Sequence, residues 1–126
     1  MNAKDKIILM VEDEVPMLTA LADNFAEEGF SVLKAMNGVD GLNLALARHP
    51  DLILLDIVMP QMDGFIMLKK LRADEWGKKV PVFMLTNYSD NEKVAEALVD
   101  DVSEYFVKSD VKIEEIIARV KEKLGI

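Results

Sequence analysis

No cysteine occurs in the 126 residues, which excludes disulfides and thiol catalysis and fits a reducing compartment. With a single histidine as well, the chain has almost nothing from which to build a structural zinc site. Long hydrophobic runs are also missing. The longest, Ile7 to Val11 and Leu52 to Met59 with Asp56 in its middle, fall well short of the roughly 20 residues that span a bilayer. The first residues, Met1 to Lys6, are polar and charged, so no secretory signal is read there and a cytoplasmic location is expected. Positive charge is scarce: fifteen Lys and Arg face twenty-three Asp and Glu, for a net charge of −8. A chain this acidic, with no Lys/Arg run longer than two, is not expected to bind nucleic acid by phosphate attraction; the plain consequence of the charge is solubility. There is no internal repeat and no Gly/Ser/Pro linker, so residues 1–126 read as one domain.

What is present is alternation. Short aliphatic runs alternate with longer segments of helical period. Lys6–Val11 reads as a first strand. A helix follows, with Pro16 in its first turn, Leu18, Leu21, Ala22 and Phe25 on one face and Gly29 as its stop. Ser31–Ala35 is a second strand and Asn37-Gly38 a turn signal. Leu42, Ala45 and Leu46 form the next apolar face, ended by His49-Pro50. Leu52–Asp56 is an aliphatic strand closing on an acid. Beyond Pro60 and Gly64, a helix carries Phe65, Leu68 and Leu71. Val80–Leu85 is the fourth strand, with Pro81 at its start. Asp90–Val99 suits a helix, Glu104–Lys108 a fifth strand, and Ile113, Ile116, Ile117, Val120 and Leu124 line a last helix. Five strands buried on both faces imply a parallel sheet covered by five helices, with right-handed crossovers. The expected class is a doubly wound, flavodoxin-like α/β fold, for which 2-1-3-4-5 is the common five-strand order.

Ligands in such sheets bind outside the carboxyl ends of the strands. Glu12 and Asp13 follow strand one, with Glu14 next. Strand three ends in Asp56, strand four in Thr86, strand five in Lys108. In the expected order these four ends are neighbours. Two ionised carboxylates about 5 Å apart repel by roughly 3 kcal/mol at an effective dielectric of about 20. An acidic group of this kind persists if one acid is protonated or a cation sits among them, and a hard ion such as Mg²⁺ suits carboxylates, water and phosphate oxygens. A metal beside a carboxylate, a lysine and a hydroxyl is an arrangement for phosphoryl transfer, with Asp56 as nucleophile.

The segment D-I-V-M-P-Q-M-D-G, Asp56 to Gly64, resembles the phosphorylation loop of response-regulator receiver domains. V-E-D-E-V-P, Val11 to Pro16, resembles their acidic loop, and Thr86, Tyr105 and Lys108 stand in the matching order. The resemblance spans almost the whole chain and is to receivers like the single-domain chemotaxis regulators, although a receiver cut from a longer regulator fits equally well. It implies that Asp56 accepts a phosphoryl group from a histidine kinase or phosphotransfer protein. It implies that Asp13, Asp56 and the backbone carbonyl of Val58 ligate Mg²⁺, with Glu12 acting through water. Lys108 would pair with the phosphoryl group, Thr86 would swing in to hydrogen-bond it, and Tyr105 would turn inward behind it. The surface of the fourth helix, fifth strand and fifth helix would then change its preference for a downstream protein or fused output domain, and homodimerisation through that surface stays open, with Lys93, Glu96, Asp101, Lys112 and Arg119 supplying charges. The protein would be a signalling switch catalysing only its own phosphorylation and dephosphorylation.

Three positions depart from the family pattern. Ser109 replaces the usual proline after the lysine, so a trans bond is expected there. Asn87 replaces a small residue after Thr86 and would narrow access to the phosphoryl site. Asp100-Asp101 stand where Ala-Gly is common. Val58 and Tyr88 bring no acid or amide to orient a hydrolytic water, so slow self-dephosphorylation is expected. Val58→Asn or Tyr88→Glu should shorten the phosphoryl lifetime, measured by loss of added mass over time; an unchanged lifetime would refute the idea.

Each residue also has a plainer structural reading. Glu12-Asp13-Glu14 could complement a helix dipole, Thr86 could be the N-cap region of the next helix, Lys108 could be an ordinary surface lysine and Tyr105 could be core. Asp56 is harder to dismiss, because an unpaired buried acid is costly. His49 reads as a helix end, Met59, Met62 and Met67 as gap-fillers, and Trp76 as packing on the third helix. Other functions on the same fold fit less well. A flavin carrier needs a phosphate loop after strand one, where these acids would repel the phosphate. An aspartyl phosphatase commonly has a second acid two residues after its nucleophile, where this chain has Val58. The intact acid, hydroxyl and lysine set argues against a receiver that signals without phosphate.

Overall fold

In the computed structural model the described residues are 3–57, 59, 62–87 and 102–126. A short 3-10 turn, Ala3–Asp5, leads into β1 (Ile7–Val11). The order continues through α1 (Val15–Glu27), β2 (Ser31–Ala35), α2 (Gly38–Arg48), β3 (Leu52–Asp56), α3 (Gly64–Ala73), β4 (Val82–Thr86), β5 (Glu104–Val107) and α4 (Ile113–Leu124). The helix expected over Asp90–Val99 lies outside the described residues. All strand pairs are parallel and the order is β2-β1-β3-β4-β5, the expected doubly wound arrangement.

The period of two along each central strand divides the core into two layers. Ile8, Met10, Leu52, Leu54, Phe83 and Leu85 face α1 and α4, where Leu21, Phe25, Ile116 and Val120 meet them. Leu9, Val11, Ile53, Leu55, Val82 and Met84 face the other way, onto Ala45 of α2 and Met67, Leu68 and Leu71 of α3. A slip of one residue would exchange the two sets, so burial on both faces ties each strand to one register. That register sets Asp56 opposite Leu85 and Thr86 opposite Val107.

Local detail differs from expectation in several places. Asn37-Gly38 is not a free turn. Asn37 caps α2, its side chain accepting from the Asp40 N–H at 2.8 Å, and Gly38 is the first helical residue. Glycine is required there because a Cβ would stand 2.1 Å from the Met62 carbonyl oxygen. Gly64 is likewise helical, behind the capping side chain of Asp63, and a Cβ on it would lie 2.4 Å from the carbonyl oxygen of Asp56. Leu46 lies on the exposed side of α2 rather than in its apolar face. His49 does end α2, in a left-handed conformation, and stacks on Trp76 with ring centroids 4.2 Å apart. Trp76 thus stacks at the end of α2 as well as packing against the core layer that holds Met67, Leu68 and Leu71 of α3. Among the described residues no peptide bond is cis, in line with the trans bond expected at Ser109.

Candidate functional site

β1, β3, β4 and β5 end side by side, and the residues beyond them converge. The ladder continues a step past the strands: the Glu12 N–H donates to the Ala35 carbonyl at 3.0 Å, Ile57 to Leu85 at 3.2 Å and Lys108 to Thr86 at 2.7 Å. These bonds fix the directions in which Glu12, Asp56 and Lys108 leave the sheet. One oxygen each from Glu12, Asp13 and Asp56 lie within 4.8 Å of one another. Glu12, Asp56 and Thr86 are buried, the Asp56 residue being 2 % exposed.

Lys108 joins this group from β5. Its Nζ lies 2.6 Å from Glu12 Oε2, 3.4 Å from Asp56 Oδ2 and 3.2 Å from Glu14 Oε1. Only 6 % of its side chain is exposed. The buried Glu12 Oε2 thus has the Lys108 ammonium directly against it. The electrostatics follow from crowding. Burial, reinforced by the neighbouring Glu12 and Asp13 charges, pushes the Asp56 carboxyl up to about 7 against the pull of Lys108. For Lys108, burial acts to lower the ammonium's pKa, but Glu12, Asp56 and Glu14 together outweigh it and hold it above its ordinary value. Glu14 is held below the usual carboxylate range by a hydrogen bond from Asn87 and by Lys108.

Tyr105 stands opposite Met84, two residues before Thr86, and packs its ring against the second core layer. Its hydroxyl is buried and has no hydrogen-bond partner among the described residues. Thus Glu12, Asp13, Asp56 and Lys108 meet directly, Thr86 stands at the adjacent strand end, and Tyr105 lies behind it. Val58, Tyr88 and the Asp100-Asp101 pair lie outside the described residues, as do Lys93 and Glu96 of the surface suggested for dimerisation. Arg119, another of those charges, pairs within the chain with Glu104 at 2.9 Å. Sequence reasoning passed over the part played by Glu14: it read that acid only as the third of a run, whereas its carboxylate bridges Asn87 and Lys108.

The response regulator receiver domain family matches residues 8–121, nearly the whole chain. The chain belongs to the response regulator receiver domain family. It is 32% identical over 117 residues to the DNA-binding dual master transcriptional regulator RpaA of Synechocystis, covering 93% of this chain and 48% of that protein. It is 28% identical to the polar-differentiation response regulator DivK of Brucella ovis, covering 95% and 97%. The chain thus spans about half of one relative and almost all of another. Among solved structures, the receiver domain of the sensor histidine kinase PA1611 from Pseudomonas aeruginosa matches with a TM-score of 0.86 and 26% identity over 96% of this chain and 98% of that one. That receiver has a magnesium ion coordinated in its active-site cleft. As a receiver domain of two-component signalling, the chain presents an acidic cluster at the carboxyl edge of its sheet. Among the described residues no helix is long and apolar enough to cross a membrane.

Proposed function

We propose that this receiver takes a phosphoryl group on Asp56 from a histidine kinase or phosphotransfer protein, in a Mg²⁺-dependent reaction, and thereby changes its affinity for a downstream protein or output domain. The observation that carries the reading is the set of contacts around Asp56: a buried carboxylate with an ammonium at 3.4 Å and two further acids close by. An Asp56 carboxylate oxygen attacks phosphorus, forming an acyl phosphate as the bond to the donor's nitrogen or oxygen breaks and the leaving group departs with its electron pair. Lys108, pre-placed by its backbone bond to Thr86, would turn from its carboxylates to the incoming phosphoryl oxygens. Thr86 would hydrogen-bond the product, and Tyr105, its hydroxyl without a partner among the described residues, would follow it inward.

The donor set fits a hard divalent cation. Asp13 and Asp56 would ligate Mg²⁺ and Glu12 would act through water, one oxygen of each lying within 4.8 Å of the others. The Val58 carbonyl assigned to the same ion lies outside the described residues. When bound, Mg²⁺ supplies positive charge that offsets the phosphoryl oxygens. On this reading the protein is a signalling switch that modifies only itself.

The test is intact mass after incubation with Mg²⁺ and acetyl phosphate. One added phosphoryl group is expected, and none in Asp56→Ala or in chelator. Uptake undiminished in Asp56→Ala would move the acceptor elsewhere, and no uptake by folded wild-type protein would sink the phosphoacceptor reading.

A further inference from the structure

We infer that Glu14 and Asn87 form a clasp across the mouth of the Asp56 pocket, and that this clasp controls the rate and charge preference with which phosphoryl donors reach the aspartate. The inference deepens the phosphoacceptor reading and rests on it. Glu14 occupies the position before α1 at which Asn37 and Asp63 cap their own helices, yet its side chain makes no capping bond. Instead its Oε1 accepts from Asn87 Nδ2 at 2.9 Å and from Lys108 Nζ at 3.2 Å. One carboxylate oxygen thereby ties together the ends of β1, β4 and β5. Beneath it the Asp56 and Lys108 side chains are 3 % and 6 % exposed, whereas the Glu14 side chain is 48 % exposed. The clasp is thus an outer rim over an enclosed nucleophile.

Two consequences arise from this geometry. On this inference the Glu14–Asn87 bridge stands in the way of donors approaching Asp56, so breaking the bridge should speed entry of any donor. Lys108, shared among three carboxylates, must also give up Glu14 before facing a phosphoryl group. Second, Glu14 holds a negative charge on the approach path, which Coulomb repulsion turns against the more highly charged donors. Glu14 and Asn87 are positioning residues on this account, acting through access and through Lys108.

The experiment uses the full chain with Mg²⁺ and two small donors. Acetyl phosphate carries more negative charge near neutral pH than phosphoramidate. Second-order rate constants for phosphoryl uptake are read by intact mass for wild type, Asn87→Ala and Glu14→Gln. Asn87→Ala, which opens the bridge and keeps the charge, is expected to accelerate both donors by a similar factor of several-fold. Glu14→Gln is expected to accelerate acetyl phosphate by about tenfold and phosphoramidate by clearly less, with the difference shrinking in high salt. A structural role alone would not produce that dependence on donor charge and salt. If wild type takes up phosphate and both variants match its rates with both donors, the bridge is an ordinary surface contact of little consequence and the inference fails. Uptake by none of the three proteins would instead overturn the phosphoacceptor reading, and the clasp with it.

Discussion

Asp56→Asn should resist urea better than wild type at pH 8 in metal-free buffer, and the advantage should vanish near pH 4. The folded chain holds the Asp56 carboxyl up to about 7, from an ordinary value of 3.8, chiefly because burial penalises its charge. The native state therefore retains a proton that the unfolded chain releases between those values. The associated stability is fully present below the lower value and is lost as pH rises through the upper one. A rise of that size corresponds to about 4 kcal/mol between the two protonation states. Asparagine keeps the shape without the charge, but it also deprives Lys108 of one partner, so a gain of about 2 kcal/mol at pH 8 is expected. On the proposed function the same substitution also removes the acceptor. Wild type should recover stability when Mg²⁺ is added, by about 2.7 kcal/mol at a hundred times the dissociation constant, while Asp56→Asn should respond weakly. Urea curves at both pH values, with and without Mg²⁺, check this. A variant no more stable than wild type at pH 8 would mean the buried carboxylate is not under electrostatic stress.

Lys108→Met should act in the opposite direction. The lysine is the cation that three carboxylates share, and its side chain is almost fully enclosed. Its pKa lies above the ordinary value, so its contribution is complete at pH 8 and would fade only as pH rises past that raised value. Removing it leaves Glu12 and Asp56 buried without a counter-charge, at a cost of about 3 kcal/mol. The loss should be smaller at pH 5, where Asp56 carries a proton, and Mg²⁺ should restore part of it at pH 8. Phosphoryl uptake should slow on the order of a hundredfold, because a fixed positive charge at the transferring oxygens is gone. Thermal or urea unfolding at the two pH values, beside uptake rates by mass, separates these effects. Equal destabilisation at both pH values would point to lost packing of the lysine stem instead.

Much of this molecule was legible before folding was considered. Aliphatic runs of period two and helical faces of period 3.6 are local patterns, so β2, β3 and most of α1 and α4 stand where the sequence placed them. Strand edges were less exact. Val80 and Pro81 precede β4 rather than open it, because backbone pairing, not hydropathy, defines where a strand begins. The acids, hydroxyl and lysine were found because each directly succeeds or ends an apolar strand and parallel sheets gather those ends. Other features depend on neighbours remote in the chain. Gly38 reads as half of a turn until the Met62 carbonyl is seen against it, and Leu46 reads as core until α2 is seen to turn it outward.

The sequence by itself determined the parallel α/β class, the edge of the sheet at which the acids and the lysine gather, and which residues those are, because these rest on periodicity and on the residue types at each strand's carboxyl end. Only the tertiary structure decided how those residues share charge. The Glu14 contacts with Asn87 and Lys108 bridge separations of 73 and 94 residues, and the raised Asp56 carboxyl depends on burial that no local pattern encodes. Such effects fall off over a few ångströms, so they exist only once folding has set the strand ends side by side.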